Sequence, residues 1–386
     1  MPVALKYKVM DCPTAYMWTI TRLTPGCSQP RRVEREEEYV RCQQLYKLGV
    51  PLYTREAILN AYAQLKTCKL GDIINITGID GTSVDWIICT GKIWVDPNGA
   101  EHQLLEPRLC YIPIQALESW DVPSPLYTIP CSLRIAHRLV TRDPITKGLE
   151  EHPSLNFEEV RMNFFTSLHF LRNGPHYKLL RLQLNDYPKL PRITKIIGFS
   201  CGSMVRKLEG RECLNARSRF QHAFLIALKE YLDARNFETT GQEVRLYVQD
   251  DTYLERDIAI IRQFGLQVLQ NPEGFLVVDE ETLVFSCRPD TPVRQVVADL
   301  ALPAMMLWDH ERDPTKVNGR LGQLIYDPWS PRLDALMRFY HVQDFHNDGI
   351  HFEKMDMCIR RPMADLFQEV NDDNAGNAAV DARPVA

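Results

Sequence analysis

Between Ile193 and Val248 the chain runs through an apolar strand, a long amphipathic helix and a second apolar strand, an order that leaves few folds open. The first strand, Ile193–Phe199, is broken only by Thr194, Lys195 and Gly198. The helix, spanning about Ala216 to Ala234, places Phe220, Ala223, Phe224, Ala227, Leu228, Tyr231 and Leu232 at i, i+3, i+4 spacing, the mark of one buried face. Val244–Val248 reads as the next strand and Tyr253–Phe264 as the next helix. Strands at Gln267–Leu269 and Thr282–Phe285, a helix at Val293–Leu300 and a strand at Ala304–Trp308 complete the series. Apolar strands alternating with helices predict a mostly parallel sheet covered on both faces. Right-handed crossovers then restrict the topology to an α/β, Rossmann-like three-layer domain.

The flanking sequence reads differently. Residues 1–50 are polar and irregular, and the run from Arg31 to Glu38 fits a solvated helix face or linker. Thr54 can cap a helix carrying Ile58, Leu59, Tyr62 and Leu65. Alternating strands come next from Gly71, punctuated by turns at Asp80-Gly81 and Asp96-Pro97-Asn98-Gly99. Residues 1–119 are therefore expected to form a smaller α+β region, and the proline-rich stretch 120–155 a connector. A helix at Phe157–Leu171 opens the α/β domain, expected over 156–345, and the apolar-poor stretch 371–386 is expected to be disordered.

Composition removes several function classes. Forty-five Lys and Arg face fifty Asp and Glu, a formal charge of −5, which is not the footprint of a nucleic-acid binder. Eleven cysteines are scattered without a C-x-x-C pair, unlike a disulfide framework or a structural zinc site. No signal peptide and no apolar run long enough to span a membrane is visible, so a cytoplasmic or nuclear location is expected by elimination.

The order of short motifs over residues 193–309 resembles the "sensitivity to red light reduced" domain, particularly its fungal versions. The family's Gly-x-Gly-Ser turn after an aromatic residue corresponds to Phe199-Ser200-Cys201-Gly202-Ser203, with Ser200 in place of the first glycine. Arg219-Phe220-Gln221-His222-Ala223 matches the opening of its helix, and Val248-Gln249-Asp250-Asp251-Thr252-Tyr253 its Gln-Asp-Pro strand end, with Asp251 replacing proline. Phe264-Gly265, Pro272-Glu273-Gly274-Phe275, Val278–Thr282, Pro292–Asp299 and Pro303–Asp309 come after these in the family's order. The resemblance implies a regulatory theme, with roles in light signalling, circadian timing and stress, and supplies no chemistry. It also implies that the N-terminal 150 residues are a variable extension.

Two places invite a ligand. Ser200, Cys201, Gly202 and Ser203 come after the first strand, where the crevice of a doubly wound sheet opens and backbone N–H groups can meet a phosphate or nucleoside. A tight structural turn explains the same residues, and no full G-x-G-x-x-G is present. Arg206, Lys207, Arg211 and Arg217 lie in or just after the long segment joining this loop to the helix and could meet an anion or solvate the loop. Asp250 ends the second strand, where an acid can hold ribose hydroxyls. Its spacing of 48 residues from Gly202 favours a cap for the next helix instead. Cys201 would need a neighbouring base or a positive environment to act as a nucleophile, and at a strand end it reads as a small packed residue; no G-x-S-x-G elbow surrounds Ser200 or Ser203. His310, His341, His346 and His351 do not have zinc spacing, so no metal is expected.

No catalytic constellation and no definite cofactor emerge, and whether the chain is an enzyme stays open. The leading reading is a regulatory protein acting through protein partners, with a nucleoside-type small molecule as a candidate ligand. The alternative is an S-adenosylmethionine- or nucleotide-dependent enzyme, or an accessory protein, in a fungal biosynthetic pathway.

Overall fold

The computed structural model describes residues 3–7, 17–22, 32–95, 99–117, 131–149, 154–187, 190–207, 212–239, 241–310, 327–345, 351–352 and 354–362. The N-terminal part contains β1 (Val3–Tyr7), β2 (Met17–Arg22), α1 (Arg32–Lys47), α2 (Arg55–Thr67), β3 (Ile73–Thr77), β4 (Ser83–Ile87), β5 (Ile93–Val95), β6 (Glu101–Tyr111), a single turn α3 (Ile114–Leu117) and β7 (Leu133–Thr141). β1, β2, β7, β6 and β5 form an antiparallel sheet in that order, and β3 pairs with β4 as a hairpin. Thr54 caps α2 as expected, its hydroxyl accepting the Ala57 N–H at 3.1 Å. Ile58 and Ala61 face inward while Leu59 is exposed, so the packing face of α2 is narrower than its apolar spacing suggests.

The expected connector over 120–155 gives way at β7. This strand is buried along almost its whole length, so it lacks the alternation by which a half-buried strand is recognised. The Asp96–Asn98 part of the second turn, His346 to Ile350 and the tail 371–386 lie outside the described residues.

The second part runs α4 (Phe157–Asn173), α5 (Pro175–Asn185), β8 (Lys195–Phe199), α6 (Glu212–Thr239), β9 (Arg245–Gln249), α7 (Glu255–Gln263), β10 (Gln267–Val268), α8 (Glu273–Val277), β11 (Thr282–Ser286), α9 (Val293–Leu300), β12 (Met305–Asp309), α10 (Pro331–Met337), β13 (Tyr340–Phe345) and β14 (Met355–Arg360). Its sheet has the order β10-β9-β8-β11-β12-β14-β13. The first five strands are parallel, and β14 runs antiparallel to both neighbours. The expected domain end at 345 therefore stops short of β14, the strand that joins β13 to the rest of the sheet.

Alternation along the strands divides the core into two. Ile196, Leu246, Val248, Leu283, Phe285, Met305, Leu307 and Met357 pack with α4, α5, α6 and α7. Ile197, Phe199, Val284, Met306, Trp308 and Cys358 point the other way, to α8, α9 and α10. That second core is continuous with Tyr53, Ile58, Trp86, Ile112, Ile114 and Leu133 of the N-terminal part. Polar contacts cross the same boundary. Asp299 Oδ2 accepts the Leu52 and Tyr53 N–H groups at 2.6 and 3.1 Å, and Gln295 Oε1 accepts the Ile114 N–H at 3.0 Å. Arg332 bonds Asp299 Oδ1 at 2.7 Å and the Tyr46 carbonyl at 3.0 Å. The N-terminal part thus covers helices of the α/β domain. Among the described residues no helix is long and apolar enough to cross a membrane.

Candidate functional site at the strand switch point

Numbered along the chain, the parallel strands lie in the order 3-2-1-4-5, so the direction of winding reverses between β8 and β11. In sheets of this kind a crevice opens there, outside the carboxyl ends of the strands. The loops after β8, β9 and β11 meet at this point, where Asp250, Asp251 and Asp290 stand with partial access to solvent.

The loop after β8 has a left-handed backbone at two positions, Ser200 (φ 53°) and Gly202 (φ 79°). Ser200 thus adopts a conformation that glycine reaches without steric penalty. Its N–H donates to the Gln249 carbonyl at 3.0 Å and its hydroxyl to Asp290 Oδ1 at 3.0 Å. At Gly202 a Cβ would meet nothing nearer than 3.7 Å, so the backbone angle is what favours glycine there.

Asp250 sits directly against this loop. Its Oδ2 accepts the Gly202 N–H at 2.6 Å and its Oδ1 the Thr252 N–H at 2.7 Å. It does not cap α7, whose N-cap position is Leu254; the Leu254 N–H goes to Asp257 Oδ2 at 2.9 Å. The expectation that Asp250 serves as a helix cap is therefore corrected. Burial, reinforced by the nearby Asp290 carboxylate, pushes Asp250 up to about 7. Asp290 is raised by burial and by Asp251.

Asp257, which no sequence motif singles out, holds the rest of the loop. Its oxygens accept from the Ser203 hydroxyl at 2.6 Å and from the Met204 and Val205 N–H groups at 2.7 and 3.0 Å. The amide of Asn215 bonds the carbonyls of Ser203, Met204 and Arg206, and the Ser218 hydroxyl bonds that of Gly202 at 2.6 Å. Behind the loop, His222 joins the Ser218 carbonyl to the Tyr253 hydroxyl, each at 2.7 Å, and burial lowers its pKa to about 4. Its ring is neutral at pH 7.

Cys201 is buried, and burial, reinforced by the Asp250 charge, raises its thiol well above the ordinary value, so it is no activated nucleophile. Arg206 is buried, Lys207 is exposed, and Arg217 Nη2 contacts Cys287 Sγ at 3.2 Å; Arg211 lies outside the described residues. His310 is brought to two carboxylates by strand register, with Nδ1 at 2.6 Å from Asp356 and 3.8 Å from Asp344. The three side chains lie close enough to hold a metal ion, and Lys354 Nζ stands 3.0 Å from the His310 Nε2.

A Rossmann-like α/β domain with three acids gathered at its switch point is the class these features define. Residues 179–333 match the family model described as the SRR1 domain, that of "sensitivity to red light reduced" proteins. Over these residues the chain is similar to an SRR1 domain, as its motif order implied. No curated protein matches the chain.

Proposed function

We propose that this chain is a regulatory protein of the cytoplasm or nucleus that acts through protein partners, and that the switch-point crevice of its SRR1 domain receives a nucleoside-type small molecule. The regulatory part rests on the family match. The ligand part rests on one observation: the Gly202 N–H, which in a phosphate-binding loop would face the ligand, donates to Asp250. Around it stand Asp250, Asp251 and Asp290. Such a crevice repels phosphate and suits hydroxyl donors or a positive charge, which favours a ribose-bearing ligand over a nucleotide.

A second reading, an enzyme using S-adenosylmethionine, is favoured by the strand order. Five parallel strands in the order 3-2-1-4-5 put a glycine-containing loop and an acid at the carboxyl ends of the first two strands, where a nucleoside cofactor can lie. Fold likeness alone does not carry a reaction.

Thermal-shift measurements with adenosine, S-adenosylmethionine and ATP test the ligand, since a compound that binds only the folded state raises its stability by mass action. The first two should raise the melting temperature and ATP should not. Asp250→Asn should weaken the effect by more than tenfold in affinity, because a hydrogen bond to a charged group contributes about 1.5–3 kcal/mol. If none of the three shifts the melting curve, the crevice reading falls and the domain stands as a scaffold for partners alone.

A further inference from the structure

The acid-lined crevice is walled by residues that lie outside the matched domain segment. Arg108, on β6 of the N-terminal part, places Nη1 3.0 Å from the Asp251 carbonyl and 3.1 Å from Asp251 Oδ1. Its Nη2 bonds Glu106 at 2.9 Å, and Glu106 is held in turn by Arg138 at 2.6 and 3.0 Å. Asn271, in the loop after β10, completes the clamp. Its amide donates to Asp251 Oδ2 at 3.1 Å and to the Leu109 carbonyl at 2.9 Å, while its Oδ1 accepts from Tyr111 at 3.0 Å. An aromatic stack runs along the same path, with Phe275 parallel to Phe199 at 4.5 Å and tilted on Tyr111 at 4.9 Å. Cys110, between Arg108 and Tyr111, is partly buried, and burial raises its thiol to about 11, with Arg134, Asp251 and Asp290 the nearby charges.

β6 therefore brings a cation to the rim of a site whose floor comes from the SRR1 domain. Asp251 is neutralised by Arg108, whereas the contacts of Asp250 and Asp290 are hydrogen bonds from backbone N–H and hydroxyl groups. We propose that Arg108 is a specificity-determining residue: by cancelling Asp251 it sets the charge of the crevice, and so the preference between a neutral nucleoside and one bearing a single positive charge. This rests on the reading of the crevice as a nucleoside site.

Two ligands of nearly the same shape isolate the charge: S-adenosylmethionine carries a sulfonium that S-adenosylhomocysteine lacks. Their affinities for the full chain, measured by calorimetric titration, give a ratio that a loss of packing alone does not move. Arg108→Gln adds one net negative charge at the rim and should raise the ratio in favour of the sulfonium by roughly tenfold, the size expected for a charge at the edge of a partly screened site. Arg108→Lys keeps the charge and should leave the ratio near that of the wild type. Asp251→Asn removes a negative charge and should lower it, which decides the matter if Arg108→Gln does not fold. An unchanged ratio in Arg108→Gln or Asp251→Asn, with both ligands weakened alike, would reduce Arg108 to a structural clamp and leave the nucleoside site standing. If the wild type binds neither ligand, the proposal and the nucleoside reading fall together.

Discussion

Replacing Asp257 with Asn should loosen the loop after β8 more than any single change within that loop. The carboxylate accepts four hydrogen bonds, from the Ser203 hydroxyl and from the N–H groups of Met204, Val205 and Leu254. Asparagine has one carbonyl oxygen. Turned toward Met204 and Val205 it keeps both, but its NH2 then faces the Leu254 N–H, donor against donor, at the start of α7. One buried donor left unsatisfied costs about 1–3 kcal/mol. The surviving bonds also lose their charge assistance, roughly half of their strength. A partial offset comes from no longer burying a charge, since burial raises the pKa of Asp257 despite its partners. A net loss of about 2–4 kcal/mol results, and Asp257→Ala, which orphans all four donors, should lose more. Urea unfolding at pH 7, with amide exchange at Met204 and Val205, measures both changes. Wild-type midpoints for the two variants, with unchanged exchange, would refute the reasoning.

Stability should pass through a maximum in pH. His137 and His222 are buried and titrate at about 4, against 6.5 for the unfolded chain, so their contribution is whole above about 6.5 and is lost as pH falls toward 4, on the order of 3 kcal/mol each. Asp250, raised to about 7, acts in the opposite sense: its protonated form is favoured in the fold, and stability falls as pH rises from about 4 through 7. In a melting-temperature profile Asp250→Asn should therefore flatten the decline above about pH 6.5 and steepen the rise between about pH 4 and 6.5, where Asp250 and the two histidines oppose each other; a parallel profile would contradict this. A fragment of residues 150–345 should give no cooperative melting transition, because it lacks β14 and the layer over Trp308 and Val296, whereas residues 32–362 should unfold cooperatively. Cooperative melting of the shorter fragment would show that the N-terminal part is dispensable.

The parallel half of the sheet is legible in the sequence because each element carries its own signal. The α6 residues expected to face inward, Phe220 to Leu232, are all buried, and α9 occupies Val293–Leu300 as its spacing implies. The elements that escape such a reading are set by pairing across the chain. β7 and β14 are buried on both sides and show no alternation, and β13 has no partner near it in sequence other than β14. At the site, Ser200 to Ser203 and Asp250 stand at the carboxyl ends of the first and second parallel strands, where the alternating pattern itself places a crevice. Asp290 holds the same position after β11, but Arg288-Pro289-Asp290-Thr291-Pro292 reads as an ordinary turn and hides it. Asp257 looks like a first-turn helix acid, which it also is. Arg108 lies in a part of the chain that reads as an extension, and only the docking of β6 on the Asn271 loop brings it to the crevice.

The serine at position 200 bears on what the crevice can receive. A glycine there would supply the same left-handed turn but no side chain, whereas the Ser200 hydroxyl reaches Asp290 and ties the loop after β8 to the loop after β11 across the switch point. The Gly202 N–H makes the corresponding tie to Asp250 after β9, and the Ser203 hydroxyl a third to Asp257 on α7. In each case a donor that a phosphate-binding loop would aim outward is turned onto a carboxylate of the protein. The loop is thereby fixed before any ligand arrives, which lowers the ordering penalty of binding. The same bonds leave the crevice richer in acceptors than in donors. A ligand of the proposed crevice would then bring the hydrogens itself, from ribose hydroxyls or a cationic group, and phosphate oxygens would meet carboxylates where they need N–H.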